Sequence, residues 1–145
     1  MAASPMISPA RAKAMLDNLT GNFNSYFINI YTGSIPANCG ASRTGTKLAA
    51  PQFGATAFSA SVDGISTGIM TATANAITSD TSAAATGTAG YFSVSSSNGG
   101  GTVIAQGTCG TSSADMILNT TSITTGDTIA ITSFLITFPD GSGSD

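Results

Sequence analysis

Tyr26-Phe27-Ile28-Asn29-Ile30-Tyr31 is the stretch on which the fold turns. It is dense in aromatic and β-branched side chains, which suit a pleated, half-buried surface, and it stops at Thr32-Gly33, a turn signal. It reads as the strongest strand of the chain. Around it lies a sequence with no histidine, no tryptophan and only 8% charged residues. Ser, Thr, Gly and Ala fill the gaps between short apolar runs. Thr favours strands because it is branched at Cβ, and Ser and Gly serve turns.

Upstream, the pattern changes period. Ser8 reads as a helix N-cap with Pro9 at the first helical position, where its missing N–H is harmless. Ala10 to Leu19 supplies good helix formers, Met15 and Leu19 are spaced to share a face, and Gly21 is expected to form a left-handed C-terminal cap. A helix this short and weakly amphipathic needs a partner surface to persist.

Downstream, Ser34 to Gly45 reads as a long loop carrying Arg43. Lys47 to Phe53 is a short strand weakened by Pro51, which suits a sheet edge. Ala55 to Val62 alternates weakly around Phe58, and Asp63-Gly64 is a hairpin turn signal. Ile65 to Ile77 reads as a strand with Ile69 and Met70 inward. Thr88 to Ser95 and Thr102 to Gly107, joined through Asn98-Gly99-Gly100-Gly101, form the clearest hairpin. Met116-Ile117-Leu118 is a short strand. Ile129 to Phe138 is the last, with Phe134, Ile136 and Phe138 alternating until Pro139 ends it.

Strands at short spacing with Gly-rich turns predict an all-β domain, an antiparallel β-sandwich or barrel-like fold with a short N-terminal helix or arm. No helical pattern separates the strands, which disfavours parallel βαβ architecture. The organisation expected is an N-terminal arm and helix over 1–22, a β-domain over 23–139 and a flexible tail over 140–145.

The same composition narrows the chemistry. Four cations, Arg11, Lys13, Arg43 and Lys47, cannot build the basic stripe that a phosphate backbone requires, so no nucleic acid is expected as a partner. The net charge is −3. A weakly charged surface opposes association poorly, which favours a protein that lives against other molecules. No window has the apolar length to span a bilayer, so no membrane is expected. Met1-Ala2-Ala3-Ser4-Pro5 lacks a basic region followed by an apolar stretch, and a cytosolic origin is the expectation.

Cys39 and Cys109 lie far apart, outside any Cys-x-x-Cys pair. They read as two small, partly buried thiols, with a disulfide between two turn-like segments as the alternative. A Ser or Cys nucleophile lacks a histidine base, and paired carboxylates for glycoside hydrolysis would have to come from Asp alone. Asp63 and Asp127 each adjoin a Gly, where a carboxylate holds turn geometry. Asp80, Asp115 and Asp127 lie near loops but without the clustered spacing of a calcium loop. The reading is a non-enzymatic protein without cofactor or metal.

Five segments carry a family resemblance. Ile30-Tyr31-Thr32-Gly33-Ser34-Ile35-Pro36-Ala37 follows an I-Y-x-G-x-x-P-A step, and Gly45 to Ala49 follows G-T-x-L-A. Gly87 to Phe92 places G-T-A before aromatics, Ala114 to Asn119 follows A-D-M-x-L-N, and Ile131 to Pro139 follows I-T-S-F-x-I-T-x-P. In this order they resemble a group of small structural proteins of tailed bacteriophages. The chain departs from that pattern at Cys39 and Arg43, in a loop where the pattern has small or acidic residues, and at Cys109, where it has a small one.

The resemblance implies a capsid decoration (cement) protein, made in the host cytoplasm and placed on the outer capsid surface of the virion. Its implied partners are the major capsid protein and further copies of itself, as a homotrimer around a symmetry axis. On this reading Met6, Ile7, Met15, Leu16 and Leu19 form the contacting face of an arm. The alternative is that they cover the domain's own core. Truncating the arm is expected to weaken attachment while leaving the β-domain folded. Other readings are a tail or head-to-tail connector component, and a host-recognition adhesive module stacking sugars on Tyr26, Tyr31 or Tyr91. For those tyrosines a core or interface role is the competing reading.

Overall fold

The computed structural model describes residues 7–66 and 68–139. Helix α1 spans Pro9–Gly21. Ser8 stands before it in extended geometry, and its carbonyl accepts the amide protons of Arg11 and Ala12 at 2.9 Å. The Ser8 side chain makes no capping bond. At the other end the expected left-handed glycine is not formed. Gly21 is still helical, and Asn22 follows at φ −74 with its side-chain amide donating to the Asn18 carbonyl at 2.9 Å. An asparagine amide thus satisfies the terminal carbonyl that a glycine cap would otherwise serve.

Eleven strands follow among the described residues: β1 Phe27–Thr32, β2 Lys47–Ala49, β3 Gln52–Phe53, β4 Val62–Ser66, β5 Ile69–Thr73, β6 Ile77–Thr78, β7 Gly87–Ser97, β8 Gly100–Gly110, β9 Met116–Leu118, β10 Ser122–Ile123 and β11 Ile131–Pro139. They run β4-β5-β11-β9-β8-β7-β1-β3-β6, with β10 on β7 and β2 on β1. Among the described residues the fold is all-β with one short helix, as the sequence predicts.

A flat sheet would hold β11 and β7 about 14 Å apart, because each strand step is about 4.8 Å and β9 and β8 intervene. Yet the rings of Phe134 on β11 and Phe92 on β7 meet edge-on at 5.5 Å between centroids. Phe134 also reaches Phe58 at 5.8 Å and Phe53 on β3 at 6.2 Å. The sheet therefore closes around an aromatic core in sandwich-like fashion. Phe23, just after α1, joins it edge-on to Phe53 and Phe58 at 5.7 and 5.4 Å.

β1 and β7 form the central antiparallel pair and are buried on both faces. Ile28 and Ile30 face Val94 and Phe92 in the core. The opposite face is a buried polar and tyrosine layer. Asn29 donates to Ser95 Oγ at 3.0 Å and accepts from the Gly99 amide at 2.8 Å, tying β1 to the hairpin tip. Tyr31 and Tyr91 stack at 5.1 Å, and the Tyr91 hydroxyl donates to the Thr44 carbonyl at 2.6 Å. A full set of partners is what makes burial of these polar groups tolerable.

Several local expectations shift. Pro51 splits the expected Lys47–Phe53 strand into β2 and β3, and its carbonyl accepts from the Ile28 amide at 2.8 Å. Asp63-Gly64 lies inside β4 rather than at the turn. Ser66 pairs with Ile69, and Gly68 at φ +83 takes the left-handed position that the tight loop requires. The expected Ile65–Ile77 strand is β5 and then β6, and its Ile69 is only partly buried while Met70 is buried.

The β7–β8 hairpin forms as predicted, but extends further on both arms, with Asn98-Gly99 alone as its loop. β8 and β9 run parallel, the one departure from antiparallel pairing among the described strands. Such a short connection is held by Asp115, whose carboxylate accepts from both the amide and the hydroxyl of Thr108 at 2.8 Å.

Candidate functional site

Helix α1 rests on β4, β5 and β11 and presents two unlike faces. Ala12, Leu16 and Thr20 recur every four residues and are buried, with the Thr20 hydroxyl donating to the Leu16 carbonyl at 3.0 Å. Ala12 and Leu16 belong to the same core as Phe23, Met70 and Ala72. The outer face carries large apolar groups. Met15 is 48% exposed and Leu19 41%, and Ile7, just ahead of the helix, 37%, whereas Leu16 is 0% exposed. The five residues expected to make a contacting face are therefore not brought together. Ile7, Met15 and Leu19 point outward, Leu16 packs inward, and Met6 lies outside the described residues.

This corrects the picture of a free arm. α1 supplies part of the hydrophobic core, so truncation through Leu19 would remove Ala12 and Leu16 from it and is expected to destabilise the β-domain. The signal that separates the faces is in the sequence. Small residues at Ala12 and Thr20 flank Leu16 at helical spacing, and such a stripe allows close approach to a sheet.

A polar clamp fixes the helix. Lys13 Nζ lies 2.7 Å from Asp17 and donates to the Ser61 carbonyl at 2.9 Å. Asp17 accepts from the amide and hydroxyl of Ser61 at 2.7 and 2.6 Å. Burial on its own raises the Asp17 pKa. Hydrogen bonds from Lys13 and Ser61, with the Lys13 charge, outweigh it and lower the value from 3.8 to about 2. A depressed carboxylate stabilises the fold above its unfolded pKa, and that contribution fades as pH falls from 3.8 towards about 2. The thermal midpoint of the native chain should drop across that window, and Asp17→Asn should show a shallower drop there. Equal slopes for the two proteins would remove the clamp from the stability account.

Val62, the residue after the clamped Ser61, is also exposed, as is Leu135 on β11. Arg11, Ala14, Met15 and Asn18 line a shallow depression on the outer face of α1. The surface offered here is apolar with sparse charge, suited to meeting another protein.

The other residues weighed for chemistry have local roles. Cys39 and Cys109 are free thiols, and burial pushes the Cys109 pKa up to about 11, which disfavours the thiolate. Asp80 accepts from the amides of Ser82 and Ala50 at 2.9 and 2.8 Å, and Asp127 accepts from the Thr124 amide at 2.8 Å. Among the described residues no three His, Cys, Asp or Glu side chains gather as a metal site would require. Tyr31 and Tyr91 are buried against each other, so they offer no open ring face to a sugar. No helix among the described residues is long and apolar enough to cross a membrane.

No protein-family model, curated protein or solved structure matches this chain.

Proposed function

We propose that this chain is a capsid decoration (cement) protein of a tailed bacteriophage. It binds the outer face of the shell, associates with further copies of itself, and bridges neighbouring subunits of the major capsid protein. The observation that carries the reading is the outer face of α1, where Met15 and Leu19 stand exposed on a helix clamped through Asp17 to Ser61 beside β4, with Ile7 exposed just ahead of the helix. A rigidly held apolar stripe loses little conformational freedom on docking, which favours a permanent structural contact. The ordered segment resemblance from Ile30 to Pro139 supplies the class of partner.

The experiment is the copy number of this chain in purified virions relative to the major capsid protein. A ratio near one to one supports decoration, and sedimentation of the free protein then tests the trimer. A very small ratio assigns the chain to the tail or head-to-tail connector and removes the shell-bridging mechanism. A surface variant adds a second test. Met15→Ser combined with Leu19→Ser should leave the melting curve within a few degrees, since both side chains are exposed, while reducing retention on capsids at least about tenfold. Undiminished retention would move the contact away from α1.

A further inference from the structure

Strand β8 leaves most of one edge open. β7 pairs along it from Gly100 to Thr108, but on the other side β9 pairs only with Cys109 and Gly110. The amide of Thr108 turns away from β7 and donates to Asp115 at 2.8 Å. Backbone groups alternate sides along a strand, so Gln106 presents its amide and carbonyl on that same outer side. Among the described residues no other segment makes a backbone hydrogen bond to Gly100–Gly107 there.

The chemistry of this edge sets it apart from the others. Sheets ordinarily protect an open edge with charge, proline or shortness. β6, at one end of the strand order, is two residues long, and β4, at the other, carries Asp63. Gly100-Gly101-Thr102-Val103-Ile104-Ala105-Gln106-Gly107 has no charged residue and no proline, and Thr102, Val103 and Ile104 are β-branched. Thr102 is exposed and Val103 to Gln106 are half-buried, so the run is within reach of a partner. Such an edge is a template for another strand.

Charge decides which strand. At the hairpin end of the edge, Lys47 Nζ donates to Asn98 Oδ1 and lies against Gly99. At the other end stands Asp115, exposed. A second β8 laid antiparallel about a twofold axis at Ile104 sets Thr102 opposite Gln106 and Gly100 opposite Thr108. Each Asp115 then comes towards the partner copy's hairpin tip and its lysine, which offsets the repulsion between two chains of net charge −3. A parallel alignment would instead bring like charges together at both ends. The run Gly99-Gly100-Gly101 has no side chain to obstruct the approach, and the two Ile104 side chains meet at the axis.

We propose that the outer edge of β8 is a self-association surface, on which a second copy of this chain adds its own β8 antiparallel and makes one sheet continuous across two copies. The inference stands apart from the virion assignment, because it needs only a second copy and uses none of the strands on which α1 rests.

The test is sedimentation equilibrium of the full-length protein, paired with hydrogen exchange at the Gln106 amide. The mass should climb from 14.3 kDa towards twice that value, half-complete below about 0.1 mM. Gln106 exchange should slow at least about tenfold as the paired form fills. Thr102→Lys puts a protecting charge at an exposed position, so it should keep the circular dichroism spectrum while weakening association at least about tenfold. Lys47→Glu should weaken it about threefold to tenfold, and more so at low salt. A mass fixed at 14.3 kDa up to about 1 mM, with Gln106 exchange independent of concentration, overturns the second copy as occupant and points to a strand of another protein. Association of any order that leaves Gln106 exchange unchanged, or that persists at full strength in Thr102→Lys, also overturns the proposal.

Discussion

Phe134→Ala is expected to destabilise the fold by about 3–5 kcal/mol, enough to leave little native protein in a domain whose total stability is of order 5–15 kcal/mol. Phe134 lies at the meeting point of three other rings, with Phe92 at 5.5 Å, Phe58 at 5.8 Å and Phe53 at 6.2 Å. Phe134 on β11 stands towards one end of the strand order and Phe53 on β3 towards the other, so their contact holds the sheet closed as well as filling volume. Truncation leaves a cavity walled by rigid aromatics fixed on separate strands, and such walls collapse poorly.

The neighbouring side chain provides the control. Leu135 points to the outer face and is exposed, so Leu135→Ala should change stability by less than about 1 kcal/mol. Urea unfolding followed by circular dichroism would read both, with the midpoint shifted and the slope preserved. Comparable losses for the two variants would mean that the ring cluster does not hold the sheet closed.

The parts of this architecture that were legible from sequence are those with a strong local cause. Ser8-Pro9 marks the start of α1 because an N-cap position and a proline act within one turn. Asn98-Gly99 marks the β7–β8 hairpin because a tight turn demands positive φ, supplied at Gly99. The alternation of Phe134, Ile136 and Phe138 shows the inward face of β11. Two-residue strands such as β3, β6 and β10 carry no periodicity, and only tertiary pairing creates them. Likewise, both Gly64 and Gly68 could serve a turn, and the choice depends on which register lets Val62 and Asp63 join the sheet.

The candidate surface was legible in part for the same reason. Helical spacing puts Met15 and Leu19 together, but it does not say which side of α1 the sheet will cover. Leu16 looks equally suited to a partner until the close approach allowed by Ala12 and Thr20 is weighed. The anchoring of the backbone beside Arg43 had no local signal at all. It depends on the Ser34–Gly45 loop folding onto Tyr91, a contact between residues 47 positions apart.

Gly90→Ala is expected to be at least as severe as many core truncations, at about 3 kcal/mol or more, and for a different reason. Between Tyr31↔Tyr91 and Thr32↔Ala89 the pairing of β1 with β7 shifts by one residue, which makes Gly90 the extra residue of a bulge. A Cβ at that position would lie 2.0 Å from the Gly33 carbonyl oxygen. The obstacle is backbone, not a side chain that could rotate away, and Gly33 itself sits at φ +88, a conformation fixed by the turn. Relief therefore requires β1 and β7 to separate where both are buried on both faces, loosening the Tyr31–Tyr91 stack and the Thr44 anchor with them.

Gly21→Ala offers the opposite expectation. No atom lies within 4 Å of a Cβ there, and the residue is helical, so alanine should stabilise by about 0.5–1 kcal/mol. Paired thermal melts should move in opposite directions. A Gly90→Ala protein that melts within a few degrees of the native chain would show that the bulge can widen without loss, and the close approach of Gly33 to β7 would then lose its place in the account of how this sheet is held.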